Sequence, residues 1–139
     1  MALGIVVADD NDLYRTAVLD AFADAPGLEV VAAVGSGAEA LAAAARHRPD
    51  LLLMDVRMPG GGPWLAEEMS RRHPAVRLVC LSALDDQDTV LAMLAAGATG
   101  YLAKGALDVD LASCVRRCAA GELVVVADCA PEVMRGLGV

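Results

Sequence analysis

Three carboxylates, a hydroxyl and an ammonium stand where this chain could do chemistry. Asp9 and Asp10 are adjacent near the N-terminus, and Asp55 closes the apolar run Leu51–Met54. Ser82 ends a second such run and Lys104 closely follows a third. If those runs are strands of one sheet, four segments deliver these groups to a single edge. Crowded carboxylates raise one another's cost of ionising, so something positive is expected among them. Lys104 supplies one charge, and a hard divalent cation with oxygen ligands is the natural second. Mg²⁺ suits so small a site, taking one or two carboxylates, waters and a phosphate oxygen. A carboxylate beside Mg²⁺ and a lysine can attack a phosphoryl group and become an aspartyl phosphate. Metal and ammonium would stabilise the equatorial oxygens during in-line transfer.

Singly, these residues mean less. An Asp-Asp pair after a strand is commonly a turn or a helix cap, a serine after a strand commonly caps the next turn, and a lysine is exposed by default. Their order along the elements gives them weight. Short apolar runs at 3–8, 28–33, 51–54, 76–81 and 99–102 alternate with helical patterns. Several are apolar at successive positions, the signature of strands covered on both faces in a parallel sheet. Asp12 is the expected cap of a first helix with apolar positions Leu13, Ala17, Leu19, Ala21 and Phe22, ended near Pro26-Gly27. Ser36 and Glu39 form a capping box for a second, alanine-rich helix. Pro63 opens a third that runs to Arg72, Asp86 or Asp88 a fourth through Ala95, and 107–119 forms the fifth, stopped at Gly121. Five such units predict an α/β fold, a flavodoxin-like doubly wound five-stranded parallel sheet of order 2-1-3-4-5 with five helices. Ligands of such sheets bind outside the carboxyl ends of the strands, where the acidic cluster falls.

Composition narrows the function further. The 139 residues are 57% hydrophobic and 22% charged with a net charge of −8, which excludes a disordered chain. Nineteen acidic against 11 basic residues and 3% aromatics argue against direct nucleic-acid binding by this domain. No run reaches the ~18 apolar residues of a membrane span, and no basic signal-peptide start precedes Asp9-Asp10, so a cytoplasmic protein is expected. Cys114 and Cys118 stand at i, i+4 without further ligands at zinc spacing and read as small buried residues. His47 and His73 read as surface residues.

The segments Val6-Val7-Ala8-Asp9-Asp10, Leu53-Met54-Asp55-Val56-Arg57-Met58-Pro59, Leu81-Ser82-Ala83 and Gly100-Tyr101-Leu102-Ala103-Lys104 give the chain a resemblance to a known family. It resembles the receiver domain of two-component response regulators over residues 3–120. The phrases Ala96-Gly97-Ala98-Thr99-Gly100-Tyr101-Leu102 and Ala119-Ala120-Gly121-Glu122 are similar to the NarL/LuxR type. The resemblance implies that Asp55 is the phosphoacceptor, Asp10 a direct Mg²⁺ ligand and Asp9 mainly a ligand through water, with the backbone carbonyl of Arg57 completing the protein's share. Ser82 would donate its hydroxyl to the phosphoryl group, Lys104 would pair with it, and Tyr101 would turn inward as Ser82 moves. A half-buried edge aromatic is the ordinary alternative for Tyr101. The implied phosphodonor is a phosphohistidine on a sensor histidine kinase, replaceable by small acyl phosphates.

That resemblance also implies that residues 1–120 form the receiver. Residues 121–139 would be a C-terminal extension, or the start of a linker to a DNA-binding output domain outside this chain. The responsive surface would be the fourth helix, fifth strand and fifth helix, roughly 86–119, with a homodimer possible on phosphorylation. Departures lie in the loop Gly60-Gly61-Gly62-Pro63-Trp64, where a glycine position of the family is Pro63 and slack backbone is expected up to Gly62. Gly105 and Asn11 also depart from the usual residues. Two rivals bear on function. A phosphoaspartate hydrolase needs a second Asp two residues after the nucleophile, where Arg57 stands. The other is a stand-alone or phosphorylation-independent receiver-like module acting by protein contact; such modules typically lose one of the acidic or lysine residues kept here.

Overall fold

The computed structural model describes residues 2–105 and 110–138. Its strands are β1 (Leu3–Ala8), β2 (Leu28–Val34), β3 (Leu51–Met54), β4 (Arg77–Ser82), β5 (Gly100–Ala103) and β6 (Val124–Val126). They form one parallel sheet in the order β2-β1-β3-β4-β5-β6. The helices are α1 (Asp12–Ala23), α2 (Gly37–His47), α3 (Gly62–Arg72), α4 (Gln87–Ala95), α5 (Leu111–Ala119) and α6 (Ala130–Gly136). The central strands are buried at every position of β3 and β5, as continuous apolar runs require. One face of the sheet packs a cluster built around Leu65, Met69, Val90, Met93 and Val133, the other a cluster around Val18, Phe22, Val115 and Cys118. Those residues belong to α3, α4 and α6 on the first face and to α1 and α5 on the second, the two-sided covering of a doubly wound fold.

Three expectations change. Six strands replace five, because Val124, Val125 and Val126 pair in parallel with Gly100, Tyr101 and Leu102 and extend the sheet beyond β5. A sixth helix then folds back against α4, burying Val133 completely. The first helix is capped by Asn11, whose Oδ1 accepts from the Tyr14 amide at 3.0 Å, so Asp12 is its first residue instead of its cap. Its buried face is Val18 and Phe22, while Leu13 is 85% exposed. Apolar residues lie on more than one side of this helix, and their spacing alone does not fix the buried stripe. The expected start of the fifth helix at Leu107 lies outside the described residues, and α5 is capped by Asp110.

Other expectations are met. Ser36 and Glu39 form the capping box: Ser36 Oγ accepts from the Glu39 amide and donates to its carboxylate. Cys114 and Cys118 are buried as small packing residues, and desolvation pushes the Cys118 thiol up to about 11. Arg116 donates to the Pro26 carbonyl and Arg117 pairs with Glu122. Both basic residues are thus engaged within the chain.

Candidate functional site

Register brings the acidic residues together. Ala8 of β1 lies opposite Met54 of β3, so the residues that follow, Asp9 and Asp55, leave the sheet side by side. The Asp55 amide donates to the Ala8 carbonyl at 2.8 Å and the Asp9 amide to the Val34 carbonyl at 3.0 Å, which fixes both exits. Ser82 lies opposite Ala103, and the next amide, that of Lys104, donates to the Ser82 carbonyl at 2.7 Å. Lys104 therefore enters from the far side of β4 and reaches back across it.

The result is a compact charge cluster. Oxygens of Asp9, Asp10 and Asp55 all lie within 4.8 Å of one another. Asp9 and Asp55 are buried and Asp10 is exposed. Lys104 Nζ lies 2.9 Å from Asp9 Oδ2 and 3.6 Å from Asp55 Oδ2. Three negative charges meet one positive, and each carboxylate pair at this separation repels by roughly 1–4 kcal/mol between water-like and surface-like screening. Such a set of hard oxygen donors with uncompensated charge could hold a divalent cation. Arg57 is drawn in by its amide, which donates to Asp55 Oδ1 at 3.1 Å.

Ser82 and Tyr101 sit one layer away. Ser82 is fully buried at the end of β4, where its Oγ accepts from the Leu84 amide at 3.3 Å. Among the described residues no hydrogen bond joins it to Asp55. Tyr101 is fully buried, not half-buried at an edge, because β6 and α6 complete the packing around β5. Its hydroxyl donates to the Leu84 carbonyl at 2.6 Å. Burial pushes its phenol well above the usual range, opposed by the Ser82 hydroxyl beside it.

The glycine-rich loop is anchored. The Gly37 amide donates to the Pro59 carbonyl at 2.8 Å, and the Gly61 amide to the Met58 carbonyl at 2.9 Å. A Cβ on Gly37 would stand 1.8 Å from the Gly60 carbonyl oxygen, so only glycine permits this approach, and Gly60 itself has φ +71°. The expected slackness meets a loop tied to the first turn of α2.

Two residues at the site are absent from the sequence reading. Arg15 donates to the Asp9 carbonyl at 2.6 Å and pairs with Asp12. Tyr14 lies with its ring centroid 3.7 Å from Lys104 Nζ. The available signal was their position within five residues of the Asp-Asp pair.

Over residues 5–116 the chain matches the response regulator receiver domain family. The response regulator GacA of Pseudomonas syringae pv. syringae is 39% identical over 119 residues, covering 85% of this chain and 56% of its own length. The DNA-binding transcriptional activator DevR/DosR of Mycobacterium tuberculosis is 34% identical over 118 residues, 84% of this chain and 54% of its own. The signal receiver domain of the response regulator NarL from Mycobacterium tuberculosis superimposes with a TM-score of 0.82 at 33% identity, covering 87% of this chain and 98% of that one. A LuxR-family response regulator from Aurantimonas sp. SI85-9A1 shares the fold across 100% of both chains, with a TM-score of 0.90 at 24% identity. The chain spans about half the length of the relatives GacA and DevR/DosR. Among the described residues no helix is long and apolar enough to cross a membrane.

Proposed function

The chain belongs to the response regulator receiver domain family, and on that premise we propose that it is a phosphorylation-controlled switch of the NarL/LuxR type with Asp55 as its phosphoacceptor. One observation carries the reading: an ammonium held 2.9 Å from Asp9 and 3.6 Å from Asp55, at a cluster of three carboxylates that still lacks positive charge. An Asp55 oxygen forms the new bond to phosphorus as the P–N bond of a phosphohistidine, or the P–O bond of an acyl phosphate, breaks. Imidazole or carboxylate then leaves. Lys104 exchanges its carboxylate partners for a phosphoryl oxygen, and Ser82, whose Oγ accepts from the Leu84 amide, turns its hydroxyl proton to that group.

Mg²⁺ fits the donor set, which is all hard oxygen. Asp10 would bind it directly, Asp9 mainly through water, and Asp55 with the Arg57 backbone carbonyl would complete the protein's share. Bound there, the cation supplies charge neutralisation for the arriving phosphoryl oxygens. The partner in transfer is a sensor histidine kinase, and the chain acts in the cytoplasm. Ser82, Leu84 and Tyr101 are the route by which the new charge reaches α4, β5 and α5, biasing a two-state surface towards a homodimer. Output passes to transcription through a DNA-binding domain beyond this chain, with residues 121–139, which carry β6 and α6, a C-terminal extension of the receiver or the start of the linker.

A Mg²⁺ titration read by thermal unfolding tests this against a phosphorylation-independent module. A cation that binds only the folded state raises the midpoint in step with its concentration, and subsequent acyl phosphate adds a covalent group. A midpoint indifferent to Mg²⁺, with no adduct, would leave a module acting by protein contact alone.

A further inference from the structure

Lys104 is the only lysine in the chain, and three side chains hold its ammonium. Two are Asp9 and Asp55. The third is Tyr14, over whose ring Nζ sits 3.7 Å from the centroid, well inside the ~6 Å reach of a cation–π contact. The turn that presents Asp9 also places this ring. The Tyr14 amide is bonded to the Asn11 cap, the Asn11 amide to Asp9 Oδ1 at 2.9 Å, and neighbouring Arg15 to the Asp9 carbonyl. Desolvation pushes the Tyr14 phenol upward, opposed by the Lys104 ammonium beside it.

The three partners differ in what chemistry does to them. Phosphoryl acceptance occupies Asp55, and a cation at the cluster competes for Asp9, so both carboxylates loosen their hold on the ammonium as the site is used. Lysine is a point charge on a flexible stem and would swing to solvent once released. The ring face is the one partner the reaction does not consume. We infer that Tyr14 is a positioning residue whose ring face keeps Lys104 at the acceptor edge while its carboxylate partners are taken, so that the ammonium is in place for the phosphoryl oxygens. This rests on the reading of Asp55 as acceptor. It assigns the effect to the ring, with no part for the hydroxyl.

The single lysine makes the test direct. In protein labelled with ¹³C,¹⁵N-lysine, one side-chain spin system reports Lys104. Its ε-methylene protons are expected upfield in the wild type and in Tyr14→Phe, and at the free-lysine position in Tyr14→Leu. In parallel, phosphorylation of Asp55 is followed against acyl phosphate concentration in Mg²⁺. Tyr14→Leu is expected to lower the limiting rate about three- to thirty-fold, the span of such contacts, with a smaller change in the half-saturating concentration, and Tyr14→Phe to retain the wild-type rate. Tyr14→Met serves as a second ringless variant should leucine pack badly. An unshifted lysine signal in the wild type, a wild-type rate in the ringless variants, or equal losses in Phe and Leu would each overturn the inference. Wild-type protein that takes no phosphoryl group while its lysine signal stays shifted would overturn the acceptor reading, and with it the role given to the ring.

Discussion

Around Asp55, three carboxylates share one ammonium and repel one another; around Val133, at the β6 margin of the same sheet, Tyr101, Val90, Met93 and Val125 close an apolar cluster. The first region holds uncompensated charge that an arriving cation or phosphoryl group can relieve. The second is satisfied as it stands, and its worth is the roughly 1.5–3 kcal/mol of each large apolar side chain removed from water. Two hydrogen bonds tie the apolar margin to the segment that leaves Ser82. The Leu84 carbonyl accepts from Tyr101, and the next carbonyl, that of Asp85, accepts from Cys129 Sγ at 3.1 Å, at the start of α6. The segment leaving Ser82 is thus gripped from the satisfied margin. A fold can carry electrostatic repulsion at one end of its strands when apolar packing elsewhere supplies the stability.

Substitutions should separate the regions by the sign of their effect. The largest change is expected from Val133→Asp, which buries a charge without a partner and should cost about 3–5 kcal/mol in urea unfolding. Gly37→Ala comes next. Its Cβ meets the Gly60 carbonyl oxygen, and the forced backbone shift should cost about 1–3 kcal/mol and displace the loop beside the site. The smallest change carries the opposite sign: Asp10→Asn removes one of the repelling charges and should raise stability without Mg²⁺ by about 1 kcal/mol or less, as befits an exposed carboxylate. The same variant should blunt the rise in midpoint that Mg²⁺ produces. Loss of stability in Asp10→Asn would break the contrast.

The acidic cluster was legible in the sequence because each member directly follows a strand or lies just beyond its end. Apolar runs mark strands clearly, and parallel register does the rest, with Ala8 opposite Met54 and Ser82 opposite Ala103. The β6 strand was not legible in that way. Three valines after Gly121 carry no pattern of their own and become a strand only by pairing with β5. The full burial of Tyr101 was not legible for the same reason, since residues that cover it come from that margin. Tyr14 escaped because a tyrosine on an amphipathic helix reads as packing, and its contact with Lys104 spans 90 positions of sequence. The loop at Gly60 read as slack because a glycine run says nothing of its partner, which is Gly37 on another helix.

The most direct test of the central claim is the intact mass of the chain after incubation with a small acyl phosphate and Mg²⁺, for wild type and Asp55→Asn. One added phosphoryl group on the wild type, absent without Mg²⁺ and absent from Asp55→Asn, is the predicted result. An adduct that persists in Asp55→Asn would move the acceptor elsewhere, and no adduct on the wild type would contradict phosphoryl transfer to this site.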